Sequence, residues 1–215
     1  MNSLTEENYL KALYHLMSDE HEVSVNDLSK RLQIKMPSVN SMIKKFAEKN
    51  WVIYESYKPI RVTESGRKEA ALIVRKHRLT EMFLVEKMGF GWENVHEIAE
   101  QLEHIHSDAF FDKMDEILSH PKVDPHGEPI PDKDGVVVQP ELKKLSQCKE
   151  NENVVFASVT TSSDDFLNYL NKRNIQLGTE MKVISIENFD QSMLIEIDGK
   201  QEVFSKLVCE KLLVK

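Results

Sequence analysis

Five of the seven prolines in this 215-residue chain fall between Pro121 and Pro140. Proline lacks the backbone donor that helices and inner strands require, so no regular element runs through such a stretch. The chain is therefore divided. Before the prolines, apolar residues recur at helical spacing; after residue 150 they alternate at strand spacing. A chain of this length accommodates two or three small domains about such a connector. The expected organisation is 1–64, 65–140 and 150–215: mainly α, with a small β C-terminal domain.

Residues 5–17 predict a helix capped by Thr5, with Tyr9, Leu10, Leu13, Leu16 and Met17 as its apolar stripe. A short helix over 26–32 and a tight connection lead to Pro37, which suits a helix first turn. That third helix runs to about Lys49. Residues 51–63 alternate and carry Pro59 midway, the pattern of a β-hairpin. Helix, short helix, turn, helix and hairpin in this order predict a winged helix-turn-helix. Val39, Met42, Ile43 and Phe46 would face the core. Pro37, Ser38, Asn40, Ser41, Lys44, Lys45 and, on the wing, Lys58 form the expected DNA-binding set, short polar groups for base edges and lysines for phosphates. Double-stranded DNA is the expected partner.

The net charge of −8 argues against nucleic acid only until it is localised. Residues 1–64 carry nine basic and nine acidic side chains, whereas 65–140 carry nine and fifteen. Six of the eight histidines also fall between His77 and His126. Carboxylate and imidazole gathered in one stretch are the donors of an oxygen/nitrogen metal site. Helices are expected from Ser65 to about Lys87 and from Val95 to about Leu118. On the second, His96, Glu100, Glu103 and His104 have offsets of 0, 4, 7 and 8 and would share one stripe. On the first, His77 and Glu81 make a further i, i+4 pair. Two successive helices presenting His and Glu inward predict a divalent metal site. The apolar positions from Val95 to about Leu118 exceed what one small domain would bury and predict a helix-mediated homodimer. A di-metal enzyme uses similar clusters, but the chain has no phosphate loop, nucleophile elbow or reactive-cysteine setting. A repressor sensing something other than metal is the third reading. Residues 150–215 predict a small β-barrel with strands at 154–159, 181–186, 193–197 and 202–207 and a helix at 164–173. The polar N-terminus and absence of a long apolar run predict no signal peptide and no membrane partner; two cysteines, Cys148 and Cys209, fit a cytoplasmic protein.

At Thr5–Leu10, Val39–Tyr57, Arg75–Glu81, Val95–His104 and Asp124–Pro131 the chain resembles the diphtheria-toxin-repressor and manganese-transport-regulator family of metal-dependent bacterial repressors. The resemblance implies a Src-homology-3-type (FeoA-like) third domain over 150–215. It places the first-helix ligand on Asn8 and the central ligands on Glu100, Glu103 and His104. An ancillary site falls on His77, Glu81 and His96, with Asp124 and His126 in the proline loop, and Asp164 or Asp165 as an oxygen donor from the third domain. Iron-sensing members carry Cys where this chain has Glu100, and a hard carboxylate there favours Mn²⁺. Fe²⁺ is the alternative, and Zn²⁺ is expected to bind in vitro. Lys11 stands where some members have a second carboxylate. The implied function is repression of metal-uptake genes.

Overall fold

The computed structural model describes residues 2–215. They divide into two compact units. One is the stretch ending at Thr80 with Ala99–His120 and Ile130–Val138; the other is Glu81–Ile98, Pro121–Pro129 and Gln139–Lys215.

The first unit opens with α1 (Leu4–Leu16), α2 (Val25–Leu32) and α3 (Met36–Glu48). The cap of α1 is Ser3 and not Thr5: Ser3 Oγ accepts from the Glu6 amide, and the Glu6 carboxylate accepts from the Ser3 amide at 2.9 Å. This reciprocal pair satisfies two orphan donors, so the helix starts before Thr5. Ser24 caps α2, Gln33 ends it in the left-handed region, and Pro37 sits in the first turn of α3. Strands β1 (Glu22–Val23), β2 (Val52–Ile53) and β3 (Ile60–Val62) pair in the order β1-β3-β2, so the expected hairpin gains a third strand. Leu10, Leu13, Leu28, Val39, Ile43, Phe46 and Ile60 are buried together, while Met42 is only half-buried at their edge.

Helix α4 spans Glu64–Glu86. The single helix expected from Val95 to Leu118 is instead two, α5 (His96–Leu102) and α6 (Asp108–Ile117). Ser107 breaks the run, its hydroxyl accepting from the Phe110 amide to start α6. Glu103 and His104 therefore lie in the turn that follows α5, the Glu103 amide still donating to the Ala99 carbonyl at 2.9 Å.

In the second unit, β4 (Lys143–Lys144), β5 (Asn153–Val159), β6 (Glu180–Ile186), β7 (Met193–Ile197), β8 (Lys200–Phe204) and β9 (Leu212–Val214) form an antiparallel sheet in the order β4-β9-β5-β6-β7-β8. Helices α7 (Asp164–Asn171) and α8 (Lys206–Cys209) complete it. The strand expected to reach Leu207 stops at Phe204, because Ser205 caps α8 by accepting from the Val208 amide. Phe156, Leu167, Leu170, Val183, Ile195, Phe204 and Leu212 fill the core, and both cysteines are buried and free.

Candidate metal centres and nucleic-acid face

In the second unit a compact donor set forms around Glu81, the first of its residues on α4. Ligand atoms of Glu81, Asp124 and His126 lie within 4.8 Å of one another, and all three residues are buried. His96 Nδ1 is 3.2 Å from Glu81 Oε1, and His126 Nδ1 is 3.7 Å from Glu81 Oε2. The proline loop presents its ligands through its own turn chemistry. One Asp124 carboxylate oxygen accepts from the His126 and Glu128 amides at 2.8 and 2.9 Å. The His126 carbonyl accepts from the Val159 amide at 3.1 Å and the Ser158 hydroxyl at 3.0 Å, which fastens the loop to β5. Gly127 has φ +85°, and a Cβ there would lie 2.1 Å from the Ala157 carbonyl oxygen, so the close approach requires glycine. His126 Nε2 lies 2.9 Å from the Trp92 carbonyl, leaving Nδ1 to face Glu81. Burial by itself disfavours the imidazolium, but the hydrogen bond and charge of Glu81 and the charge of Asp124 outweigh it and raise the His126 pKa. A proton on His126 competes with a metal for the imidazole. Asp164 and Asp165 are exposed in the first turn of α7 and stand outside this set.

The first unit holds a second constellation, centred on Glu103, which is fully buried. His77 Nδ1 is 2.5 Å from Glu103 Oε2. His104 Nδ1 is 2.5 Å from Glu7 Oε2, and its Nε2 is 3.8 Å from Glu103 Oε1. Lys11 Nζ pairs with Glu103 Oε1 at 2.7 Å and also with Glu100. Asn8, on α1 beside them, has a buried Oδ1 that no group among the described residues hydrogen-bonds. An unpartnered buried amide oxygen is costly, and a cation is the partner its chemistry suits. The carboxylate, imidazole and amide donors fit a hard divalent ion. Glu7 is absent from the sequence-derived ligand set, because an acid in a helix first turn is favoured by the dipole whatever it faces. It is 3% exposed and faces His104, with His106 Nδ1 3.7 Å from its other oxygen.

On α3, Pro37, Ser38, Ser41, Lys44 and Lys45 are exposed, while Asn40 is half-buried and accepts from the Tyr54 hydroxyl at 3.2 Å. A groove of about 600 Å³ separates α3 from the wing, lined by Asn40, Lys44, Tyr57, Lys58 and Pro59 among others. Tyr57, at the wing tip, is fully exposed with φ +67°. Lys58 pairs with Glu55 at 2.6 Å, both side chains well exposed. An exposed pair contributes little to stability, so it leaves Lys58 available to an anion.

Three family models match the chain. They are described as iron dependent repressor, N-terminal DNA binding domain (residues 1–60), iron dependent repressor, metal binding and dimerisation domain (63–132), and FeoA domain (143–215). The iron-dependent repressor IdeR of Mycobacterium tuberculosis is 32% identical over 133 residues, covering 61% of this chain and 58% of that protein. The chain thus matches less than two thirds of that curated relative's length. A solved structure titled manganese-dependent transcriptional repressor complex with manganese superposes with a TM-score of 0.85 at 30% identity, covering 97% of this chain and 98% of the other. ScaR with bound Zn²⁺ gives a TM-score of 0.76 at 31% identity, covering 98% of each.

Proposed function

This chain belongs to the diphtheria-toxin-repressor and manganese-transport-regulator family, and on that premise we propose that it is a metal-dependent transcriptional repressor acting on DNA as a cytoplasmic homodimer. The observation that carries the reading is the buried set of Glu81, Asp124 and His126, three ligand-bearing side chains gathered within 4.8 Å. His96 completes it, and Asp164 or Asp165 would add an oxygen donor. The second site uses Asn8, His77, Glu100, Glu103 and His104. A bound divalent ion supplies the positive charge around which these donors adopt one arrangement.

Mn²⁺ is the proposed physiological ion, because the donors are oxygen and nitrogen without sulfur. The similarity to a repressor solved with manganese supports this. Fe²⁺ is the second reading, favoured by the relatives named as iron-dependent repressors. Metal-uptake genes are the proposed targets.

The residues suggest how such a site reaches DNA. Asn8 lies on α1, whose other face carries Tyr9, Leu10 and Leu13 into the core shared with α2 and α3. Tyr9 meets Phe46 of α3 edge-on at 6.2 Å between ring centroids. Tying Asn8 to Glu103 and His104 therefore fixes the orientation of α3. Ser38, Asn40 and Ser41 read base edges there, while Lys44, Lys45 and Lys58 hold phosphates. Phe110 and Ile117 on α6 are exposed apolar side chains that a second copy would cover. Two copies place two α3 helices about 34 Å apart, one turn of DNA.

Fluorescence anisotropy on duplexes tiled from upstream of the gene itself tests the reading, with chelator and then with Mn²⁺, Fe²⁺ or Zn²⁺ at fixed salt. Binding that requires metal supports it. Binding indifferent to metal refutes the metal dependence.

A further inference from the structure

Lys11 is the one feature of the Glu103 constellation that a metal site does not need. Its side chain is largely buried, 12% exposed, and its ammonium spans Glu100 and the fully buried Glu103. A buried carboxylate is stable only when its charge is met. Here a cation belonging to the protein meets it. The same Glu103 oxygen, Oε1, that takes Lys11 at 2.7 Å also faces His104 Nε2 at 3.8 Å. Asn8, one turn before Lys11 on α1, meanwhile has a buried Oδ1 that no group among the described residues hydrogen-bonds. The site thus holds its counter-charge while one proposed ligand stands idle.

We propose that Lys11 is a built-in competitor for the metal: its ammonium occupies the Glu100–Glu103 carboxylates in the metal-free protein and must leave them before a divalent ion can bind, so Lys11 sets the free-metal concentration at which this site fills. This rests on the proposed reading of Asn8, Glu103 and His104 as ligands. Two cations cannot share the buried Glu103 carboxylate without strong repulsion, so filling the site is an exchange of one cation for another. The free energy of the Lys11 ion pairs is subtracted from the affinity the ligands would otherwise give. A side chain that merely pinned α1 to the turn after α5 would act the other way, because its removal would loosen the ligand geometry and weaken binding.

The two roles have opposite signs in one measurement. Mn²⁺ is titrated calorimetrically into the full-length protein carrying Glu81→Gln, which removes the other donor set, and into the same protein with Lys11→Gln added. The competitor role predicts tighter binding with Lys11→Gln, by about tenfold or more, the usual scale for coupled charged sites. Equal or weaker binding overturns it. Should Lys11→Gln fail to fold without metal, the unaltered chain answers instead by ¹⁵N NMR of lysine side chains, with diamagnetic Zn²⁺ as probe. A slowly exchanging Lys11 Nζ signal that vanishes as Zn²⁺ saturates the protein supports displacement; one that persists at saturation overturns it. Failure of the functional reading looks different: the unaltered protein would then bind no divalent ion at Glu81, Asp124 and His126 either.

Discussion

Gly127 is the point where the proline loop touches β5, and replacing it with Ala offers a quantitative test. A methyl there would stand 2.1 Å from the Ala157 carbonyl oxygen and 2.6 Å from Ser158 Cα, both backbone atoms that cannot swing aside. The φ of +85° adds left-handed strain of about 1–2 kcal/mol for any L side chain. Relieving the overlap means lifting the loop, which breaks the two hydrogen bonds to the His126 carbonyl, about 1 kcal/mol each. The total is about 3–4 kcal/mol. Gly178 is the control: its φ is +90°, yet a methyl added there would meet no atom within 4 Å, so Gly178→Ala carries the strain alone, about 1–2 kcal/mol. Urea unfolding of both variants in chelator removes any contribution from bound metal. Gly127→Ala is expected to cost about 2 kcal/mol more than Gly178→Ala, the two hydrogen bonds at about 1 kcal/mol each, and to weaken Mn²⁺ binding at the Glu81 set. Equal costs, or an unchanged metal affinity, would refute the docking argument.

Three further outcomes are expected. Arg75→Met strips buried Asp115 of its 2.8 Å ion pair and the Pro131 carbonyl of its 2.7 Å donor, and is expected to cost about 3–5 kcal/mol in chemical unfolding. Burial raises the Asp115 pKa, but the His120 hydrogen bond and the Arg75 charge more than reverse this and hold it low. A lowered carboxylate pKa gives stability that is present above the ordinary aspartate range and lost as pH falls through the folded value, so Asp115→Asn is expected to flatten the acid limb of a Tm-against-pH curve below about pH 4. Lys44→Ala and Lys45→Ala are expected to weaken binding to all duplexes alike and each lower the salt slope by about 0.9, whereas Ser41→Ala changes sequence preference; competition titrations at several salt concentrations separate the two.

Much of this architecture was legible because local chemistry and burial agreed. The α1–α3 succession, the hairpin and the alternating strands follow apolar periods of 3.6 and 2, which the cores then bury. The errors sit where a capping side chain outvoted periodicity. Ser3 outcompeted Thr5 because Glu6 lies three residues on. Ser107 cut a strongly periodic run, and Ser205 turned the end of an expected strand into α8. The break bears on the site, since it leaves Glu103 and His104 in the turn that ends α5 and not inside a longer helix. The compositional signal survived the wrong geometry: most of the donors that gather come from the histidine-rich stretch, by way of α4, a turn and a loop. Glu7 and Lys11 were opaque because a surface acid and a surface lysine look identical in sequence to buried ones. Only tertiary packing distinguishes them.

Metal and DNA are expected to favour the same conformer. Binding free energies are reciprocal, so DNA must tighten metal binding by the same factor by which metal tightens DNA binding. Electron paramagnetic resonance of free Mn²⁺ during titration of the protein, with and without saturating duplex, measures this directly. The expected Mn²⁺ affinity is higher on DNA, by the factor that anisotropy gives for the reverse coupling. An affinity unchanged by DNA would contradict it.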